Sequence, residues 1–303
     1  MSWRPTHEIE IVAGTPPGGG LDRAARALLA GLEAWGELGV PARVNNVPGD
    51  GAKKCWVYLD GRSRDPHVVS ISSVNLTTDH LLGAAPFRHE SDFTPVAILF
   101  TEYIAFLARE GSGIASAGDL LARLARDAGS LRVALATSLG NPNHIALARI
   151  VHHAGGDPRA PRVRAFDSAL DAVAELARGG ADLAAVTAVS AVKELEAGRL
   201  RALAVTAPDR LGKLYAQAPA WRELGVDCVI GSWRGLTGPQ GLAPDQVAFW
   251  ARAAAAAVDT DAWRAELERL YWTPMHLDGA RLLDFLASER ASMTSVLRDL
   301  GLL

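Results

Sequence analysis

Residues 8–14 read Glu-Ile-Glu-Ile-Val-Ala-Gly, alternating at first and then continuously apolar, which predicts a short strand. The strand stops at Thr15-Pro16-Pro17-Gly18-Gly19-Gly20, where two prolines lack N–H donors and three glycines accept unusual backbone angles. The period then changes: Leu21, Ala25, Leu28, Leu29 and Leu32 share one face of a helix over 21–35. Asp22 falls in its first turn, where a carboxylate complements the helix dipole. A second strand over 40–45 meets the turn Asn46-Val47-Pro48-Gly49-Asp50-Gly51, and a short helix over 52–59 leads to a buried strand over 67–72.

The alternation continues. Residues 93–106 suit two strand pieces, and a helix carrying Leu120, Leu121 and Leu124 opens at Ser116 or Ala117. A strand over 132–136 enters the polar loop Thr137-Ser138-Leu139-Gly140-Asn141-Pro142-Asn143, with a helix from His144. Strands over 162–166, 183–189 and 200–206 follow, the first two separated by a helix over 168–178. Beyond Gly235 the texture is helical, over 244–258, 261–270 and 278–300. The pattern predicts an α/β protein with a mostly parallel sheet covered by helices.

Composition narrows the function classes. A chain of 303 residues suggests about two domains. A hydrophobic fraction of 49% with a net charge of −3 argues against disorder and against a basic nucleic-acid surface, and 6% aromatics argue against a base-stacking platform. No apolar run reaches the ~18 residues of a membrane-spanning helix. Cys55 and Cys228 are too few for a disulfide framework or a zinc site, and two buried free thiols are the simplest expectation, a single bridge the other. The first residues lack the basic and apolar regions of a signal peptide. The expected location is the cytoplasm if Met1 is the native start, or the periplasm if a signal peptide has been removed.

Two loops hold the candidate chemistry. Residues 15–20 lie between a strand and a helix, so several backbone N–H groups face the positive end of a helix dipole, where an anion is stabilised. No Gly-Lys-Ser/Thr follows, and the glycines do not fit a G-x-G-x-x-G spacing, so neither a P-loop nor a dinucleotide fingerprint is present. A tight turn without a ligand is an even alternative. Residues 137–144 gather hydroxyls, amides and His144, suited to a carboxylate or hydroxyl of a small ligand, although helix capping by the asparagines alone explains them as well. If the loops face each other they form a pincer. No nucleophile elbow or metal-ligand spacing accompanies them, so no catalytic residue, metal or cofactor is expected.

In order along the chain, Trp3-Arg4-Pro5, Pro16-Pro17-Gly18-Gly19 with Asp22, Asn46-Val47-Pro48-Gly49-Asp50-Gly51 and Asp92-Phe93-Thr94-Pro95-Val96 are followed by Gly198-Arg199-Leu200-Arg201-Ala202-Leu203-Ala204-Val205-Thr206. Ala218-Pro219-Ala220, Glu223-Leu224-Gly225 and Ser232-Trp233-Arg234-Gly235 complete the series. Together they resemble the Bug/TctC family, extracytoplasmic solute receptors of tripartite tricarboxylate transporters, over nearly the whole chain. The resemblance implies a type II periplasmic-binding-protein fold, with two α/β lobes around a ligand cleft and two crossing strands. It implies lobe 1 over 1–102, lobe 2 over 103–234, a return to lobe 1 over 235–278, and a C-terminal helix over 279–303 packing back on lobe 2.

The resemblance carries ligand contacts to Pro17, Gly18, Gly19 and Asp22 in one lobe and to Ser138, Gly140, Asn141 and His144 in the other. Thr15, Asn75, Phe166, Asp167 and Thr187 complete the candidate set. Two departures bear on the ligand: Asp167 stands where the family has a lysine, and Val186 where it commonly has an aspartate, which suggests a less polar distal end. The expected function is capture of a small organic carboxylate for membrane transporter subunits, by a monomer with no nucleic-acid partner. An isomerase or lyase built on the same cleft, or a ligand-occupancy sensor, are the alternatives.

Overall fold

The computed structural model describes residues 3–299 and 301–303; Met1, Ser2 and Leu300, the expected end of the closing helix, lie outside the described residues. In chain order the elements are β1 (Ile9–Ala13), α1 (Gly20–Trp35), β2 (Ala42–Asn46), α2 (Lys53–Asp60), β3 (Val68–Ser73), α3 (Asn75–Leu81), α4 (His89–Asp92), β4 (Phe93–Arg109), α5 (Ala117–Asp127) and β5 (Arg132–Ala136). They continue with α6 (Pro142–His153), β6 (Arg162–Phe166), α7 (Ala169–Ala177), β7 (Leu183–Thr187), α8 (Val192–Glu196), β8 (Leu200–Val205), β9 (Gly231–Pro239), α9 (Pro244–Val258), α10 (Asp261–Arg269), β10 (Trp272–Asp278) and α11 (Gly279–Asp299). None of the described helices is long and apolar enough to cross a membrane.

The chain forms two compact units, one of Met1–Thr101 with Trp233–Thr294, the other of Glu102–Ser232 with Ser295–Leu303. The breaks fall inside β4, β9 and α11. In the first unit β1 pairs in parallel with β2 and β3, and β9 runs antiparallel beside β3. The apolar face of α1 (Leu21, Ala25, Leu28, Leu32) is buried, and the helix ends on Gly36 in the left-handed region, whose N–H donates to the Leu32 carbonyl. A Cβ on Gly31 would lie 2.8 Å from the Ala257 carbonyl oxygen, so α1 and α9 meet without room for a side chain. Phe100 stacks on Trp272 at 3.8 Å between centroids, and Trp263 packs edge-on against Phe100.

In the second unit β5 pairs in parallel with β6 and β7, and β4 runs antiparallel to β7 and β8. Ile145, Leu147, Ile150 and Val151 of α6 are buried, and Phe106 meets Trp221 edge-on at 5.4 Å.

The sheet is therefore mixed rather than mostly parallel, because β4 and β9 run against their neighbours. Residues 93–106 form one strand extended to Arg109, buried almost throughout, instead of two pieces. The tail is interrupted by β10, whose Trp272 is stacked on Phe100. The last helix, α11, is shared between the two units. Leu282 and Leu286 are buried, Phe285 packs on Trp233, and Arg290 pairs with Glu90 at 2.5 Å, so residues through Thr294 belong to the first unit. Only the last nine positions join the second, where Val296 and Asp299 line a hollow with Arg149, His152 and Val226. Both cysteines are free and buried.

Candidate functional site

In the first unit the carboxyl ends of β1, β2 and β3 lie side by side, since Ala13 pairs with Asn46 and Val12 with Ser70. Three connections leave from that edge: residues 14–19, residues 47–52, and the turn into α3 at Asn75. Open α/β sheets bind ligands at such carboxyl ends. The turn at 49–52 sits tightly on β1, for a Cβ on Gly14 would come within 2.6 Å of the Ala52 Cβ. Asp50 and Ala52 hold positive φ angles of 57° and 81°, a cost of about 1–2 kcal/mol each that the surrounding packing must sustain.

Asp22 organises the first loop. Its buried carboxylate accepts the Gly18 N–H at 2.8 Å, the Asn46 amide at 2.9 Å and the Arg26 guanidinium at 3.0 Å. The Asp22 N–H in turn donates to the Thr15 hydroxyl at 3.1 Å, and the Asn46 amide also reaches the Thr15 carbonyl at 2.9 Å. Burial pushes the Asp22 carboxyl up, but hydrogen bonds from Arg26, Asn46 and Gly18 outweigh it and hold the group below its ordinary value. The Gly19 N–H donates to the Pro16 carbonyl at 2.9 Å. The N–H groups of Gly18 and Gly19 thus shape the loop itself. Those of Gly20 and Leu21, the first two of α1, have no acceptor inside the helix by its geometry and remain at its mouth.

The two loop glycines serve different ends. Gly18 has a φ of +81° with nothing within 4 Å of an added Cβ, whereas a Cβ on Gly19 would lie 2.5 Å from the Thr15 hydroxyl. Pro17 is exposed, and Asn75 opens α3 with its carbonyl accepting the Thr78 hydroxyl at 3.4 Å.

The second unit repeats the plan. Ala136 pairs with Phe166 and Leu135 with both Ala165 and Ala185, so the ends of β5, β6 and β7 share an edge. Asn141 caps α6: its carbonyl oxygen accepts the His144 N–H at 3.1 Å, while its amide donates to the Ala136 carbonyl at 2.6 Å and the Thr137 hydroxyl at 2.9 Å. Its side chain is buried and committed to the loop, as the capping alternative requires. Thr137 and Gly140 take positive φ angles of 64° and 79°.

His144 is the group that this loop presents. The Gly140 N–H donates to its Nδ1 at 2.9 Å, which leaves the proton on Nε2 as a donor of fixed direction. Burial lowers its pKa, so the imidazole is neutral near pH 7. Ser138, in the same loop, is half-buried. The Thr187 hydroxyl, at the end of β7, lies 3.0 Å from that of Ser190. Phe166 and Asp167 line a hollow of about 470 Å³ with Arg164, Asp171 and Arg178, and the Arg164 guanidinium covers the Phe166 ring at 4.5 Å.

The sequence-derived residues thus gather at two strand edges, one in each unit. Sequence reasoning missed Asn46 and Arg26 as partners of Asp22. Only Arg26 left a signal, four residues after Asp22 on one helix face.

The profile of the tripartite tricarboxylate transporter family receptors, TctC, matches residues 25–302. The chain belongs to this family. Receptors of the TctC family are extracytoplasmic and work with membrane transporter components. Protein BugT of Bordetella pertussis is 25% identical over an alignment covering 98% of this chain and 90% of BugT. Rpa4515 of R. palustris, solved with adipate, superposes with a TM-score of 0.87 at 22% identity, covering 98% of each chain. MatC of Rhodopseudomonas palustris, solved with malate, gives 0.84 at 22% identity over 97% of this chain and 99% of MatC. These likenesses establish a periplasmic-binding-protein-like fold. The family and these neighbours are solute-binding proteins, not enzymes.

Proposed function

We propose that this TctC receptor captures a small organic carboxylate and delivers it to the membrane components of a tripartite tricarboxylate transporter. The observation that carries the reading is the donor set at the two strand edges. In one unit it is the Gly20 and Leu21 N–H groups at the mouth of α1. In the other it is the Nε2–H of His144, held by Gly140, with Ser138 in the same loop. These are neutral donors fixed before a ligand arrives, the arrangement that stabilises an anion without the cost of reorganisation. The Asp22 charge does not oppose this, because Arg26 neutralises it at 3.0 Å.

The adipate on Rpa4515 and the malate on MatC support the ligand class. A hydrogen bond to a charged group contributes about 1.5–3 kcal/mol. Three or four of them, less ordering costs, fit a micromolar dissociation constant, which corresponds to about −8 kcal/mol. Thr15, Pro17, Gly18, Gly19, Asp22, Asn75, Ser138, Gly140, Asn141, His144, Phe166, Asp167 and Thr187 form or frame the binding surface. The receptor works as a monomer in the periplasm.

A thermal-shift screen over mono-, di- and aromatic carboxylates tests the reading, since a ligand that binds only the folded state raises Tm by mass action. A concentration-dependent rise with at least one small aliphatic carboxylate is expected. A flat response to all of them contradicts it.

A further inference from the structure

The amino ends of β1 and β3 gather two imidazoles and a carboxylate, at the opposite edge of the parallel strands from the ligand loops. His7 precedes β1, while Asp65 and His67 precede β3. The Glu10 N–H donates to the His67 carbonyl at 2.8 Å, so strand pairing brings the two segments together. One donor atom from each of His7, Asp65 and His67 lies within 4.8 Å of the other two. The imidazoles are stacked, with centroids 3.6 Å apart and planes inclined at 24°.

The cluster is held from several sides. Asp65 Oδ1 accepts the His67 N–H at 3.0 Å and stands 3.5 Å from His67 Nδ1. Trp250 Nε1 donates to the Pro66 carbonyl at 2.9 Å, which pins the turn, and Trp3 packs edge-on against the His67 ring. The Thr6 N–H donates to His67 Nε2 at 3.1 Å, and the Thr6 hydroxyl lies 3.4 Å from the same nitrogen. Among the described residues, Asp65 forms no ion pair with a lysine or arginine. His67 is buried and His7 exposed, so the donors are anchored on one side and open to solvent on the other.

We propose that His7, Asp65 and His67 form a binding site for a divalent transition-metal ion of the zinc class, which staples the segment before β1 to the turn before β3. Two imidazoles with one carboxylate suit zinc, whereas magnesium and calcium prefer sites built of oxygen alone. Tetrahedral zinc, with bonds of about 2.0–2.1 Å, holds its donor atoms roughly 3.3–3.5 Å apart, so the cluster closes by a small movement of the exposed His7. His67 Nδ1 is the nitrogen that faces Asp65. Coordination through it moves the ring proton to Nε2, where the Thr6 hydroxyl accepts it and fixes the ring from behind, with no net loss of a proton. The exposed Thr6 N–H then turns to water, and water completes the coordination of the ion. The rival role is a clasp without an ion, in which Asp65 orients His67 and His7 stacks on it.

The test is calorimetric titration of the EDTA-treated full chain with Zn²⁺, and separately with Mg²⁺ and Ca²⁺, in a buffer free of carboxylates. Wild type should bind one zinc ion with a dissociation constant of roughly 10 μM or tighter, and neither hard cation. His7→Ala, at an exposed position, should weaken zinc binding at least tenfold. Asp65→Asn keeps the oxygen that accepts the His67 N–H but removes the charge, and it should lose as much. The double variant His152→Ala/His153→Ala removes the other histidine pair and should bind zinc as wild type does. Zinc should also raise the Tm of wild type and leave that of His7→Ala unchanged. Wild-type binding weaker than about 100 μM, equal binding of magnesium or calcium, zinc affinity unchanged in His7→Ala, or zinc affinity lost with His152 and His153 would each overturn the proposal. None of these outcomes bears on the carboxylate reading, which concerns the other ends of the strands.

Discussion

Asp22→Asn separates a loop organiser from a direct ligand contact. The wild-type carboxylate accepts from the Gly18 N–H, the Asn46 amide and the Arg26 guanidinium, all between 2.8 and 3.0 Å. An asparagine keeps one oxygen, so it retains one of the Gly18 and Asn46 bonds and turns an NH₂ toward the other donor. Losing one charge-assisted bond costs about 1.5–3 kcal/mol. The Arg26 side chain is 56% exposed and recovers water, so the broken ion pair adds only about 0–1 kcal/mol. The expected loss is about 3 kcal/mol, or roughly 10 °C in Tm for a unit of this size. Urea unfolding of wild type and variant measures it, with carboxylate affinity read on the same samples. Both should fall, because the Thr15 hydroxyl, the Asp22 N–H and the mouth of α1 lose their frame together. A variant with unchanged stability that has lost only binding would refute the reasoning and make Asp22 a ligand contact. The pH dependence has a definite sign. A carboxyl held below its ordinary 3.8 stabilises the fold above that value, and the contribution disappears as pH falls through the lowered value.

The glycines give a paired contrast. Gly19→Ala should cost about 1–3 kcal/mol and abolish binding by pushing on the Thr15 hydroxyl 2.5 Å away, whereas Gly18→Ala incurs only the left-handed strain of about 1–2 kcal/mol and keeps the Thr15–Asp22 bond, as denaturation and titration would show. His89, fully buried between Thr237 and Trp233, has its pKa lowered by burial to about 4, so the fold is stabilised above the ordinary 6.5 and loses roughly 3 kcal/mol as pH falls from there to 4. Urea midpoints across that range should show the slope, and His89→Gln should flatten it. His144→Phe keeps a flat aromatic ring, though a larger one, but removes both the acceptor for the Gly140 N–H and the Nε2 donor. It should weaken carboxylate binding by about 10–100-fold, measurable by calorimetry.

Much of this architecture is legible from local pattern. The β1 strand, the proline-glycine turn and the α1 helix follow directly from residues 8–35, because each change of period coincides with a turn residue. Strand direction is not legible in the same way. The antiparallel course of β4 and β9 depends on which units the chain leaves and re-enters, and no window of a dozen residues encodes that. β10 gives little local signal because Trp272 and Met275 sit in a short, partly polar segment whose identity comes from Trp272 stacking on Phe100. At the site, residue types locate the loops but not the roles inside them. Asp22 and Asn141 belong to residue types that bind ligands and also cap helices, and residue type alone does not show the loop hydrogen bonds that each makes. The cluster of His7, Asp65 and His67 shows no motif spacing, because the pairing of β1 with β3 assembles it from segments far apart in sequence.

The central claim is that this protein binds a small carboxylate and leaves it chemically unchanged. Isothermal titration of the full chain with succinate, malate and adipate, followed by proton NMR of the recovered acid, tests it most directly. The account predicts one-to-one micromolar binding of at least one acid, recovered intact. Absence of a binding isotherm for every acid, or conversion of the acid to a new species, would contradict it.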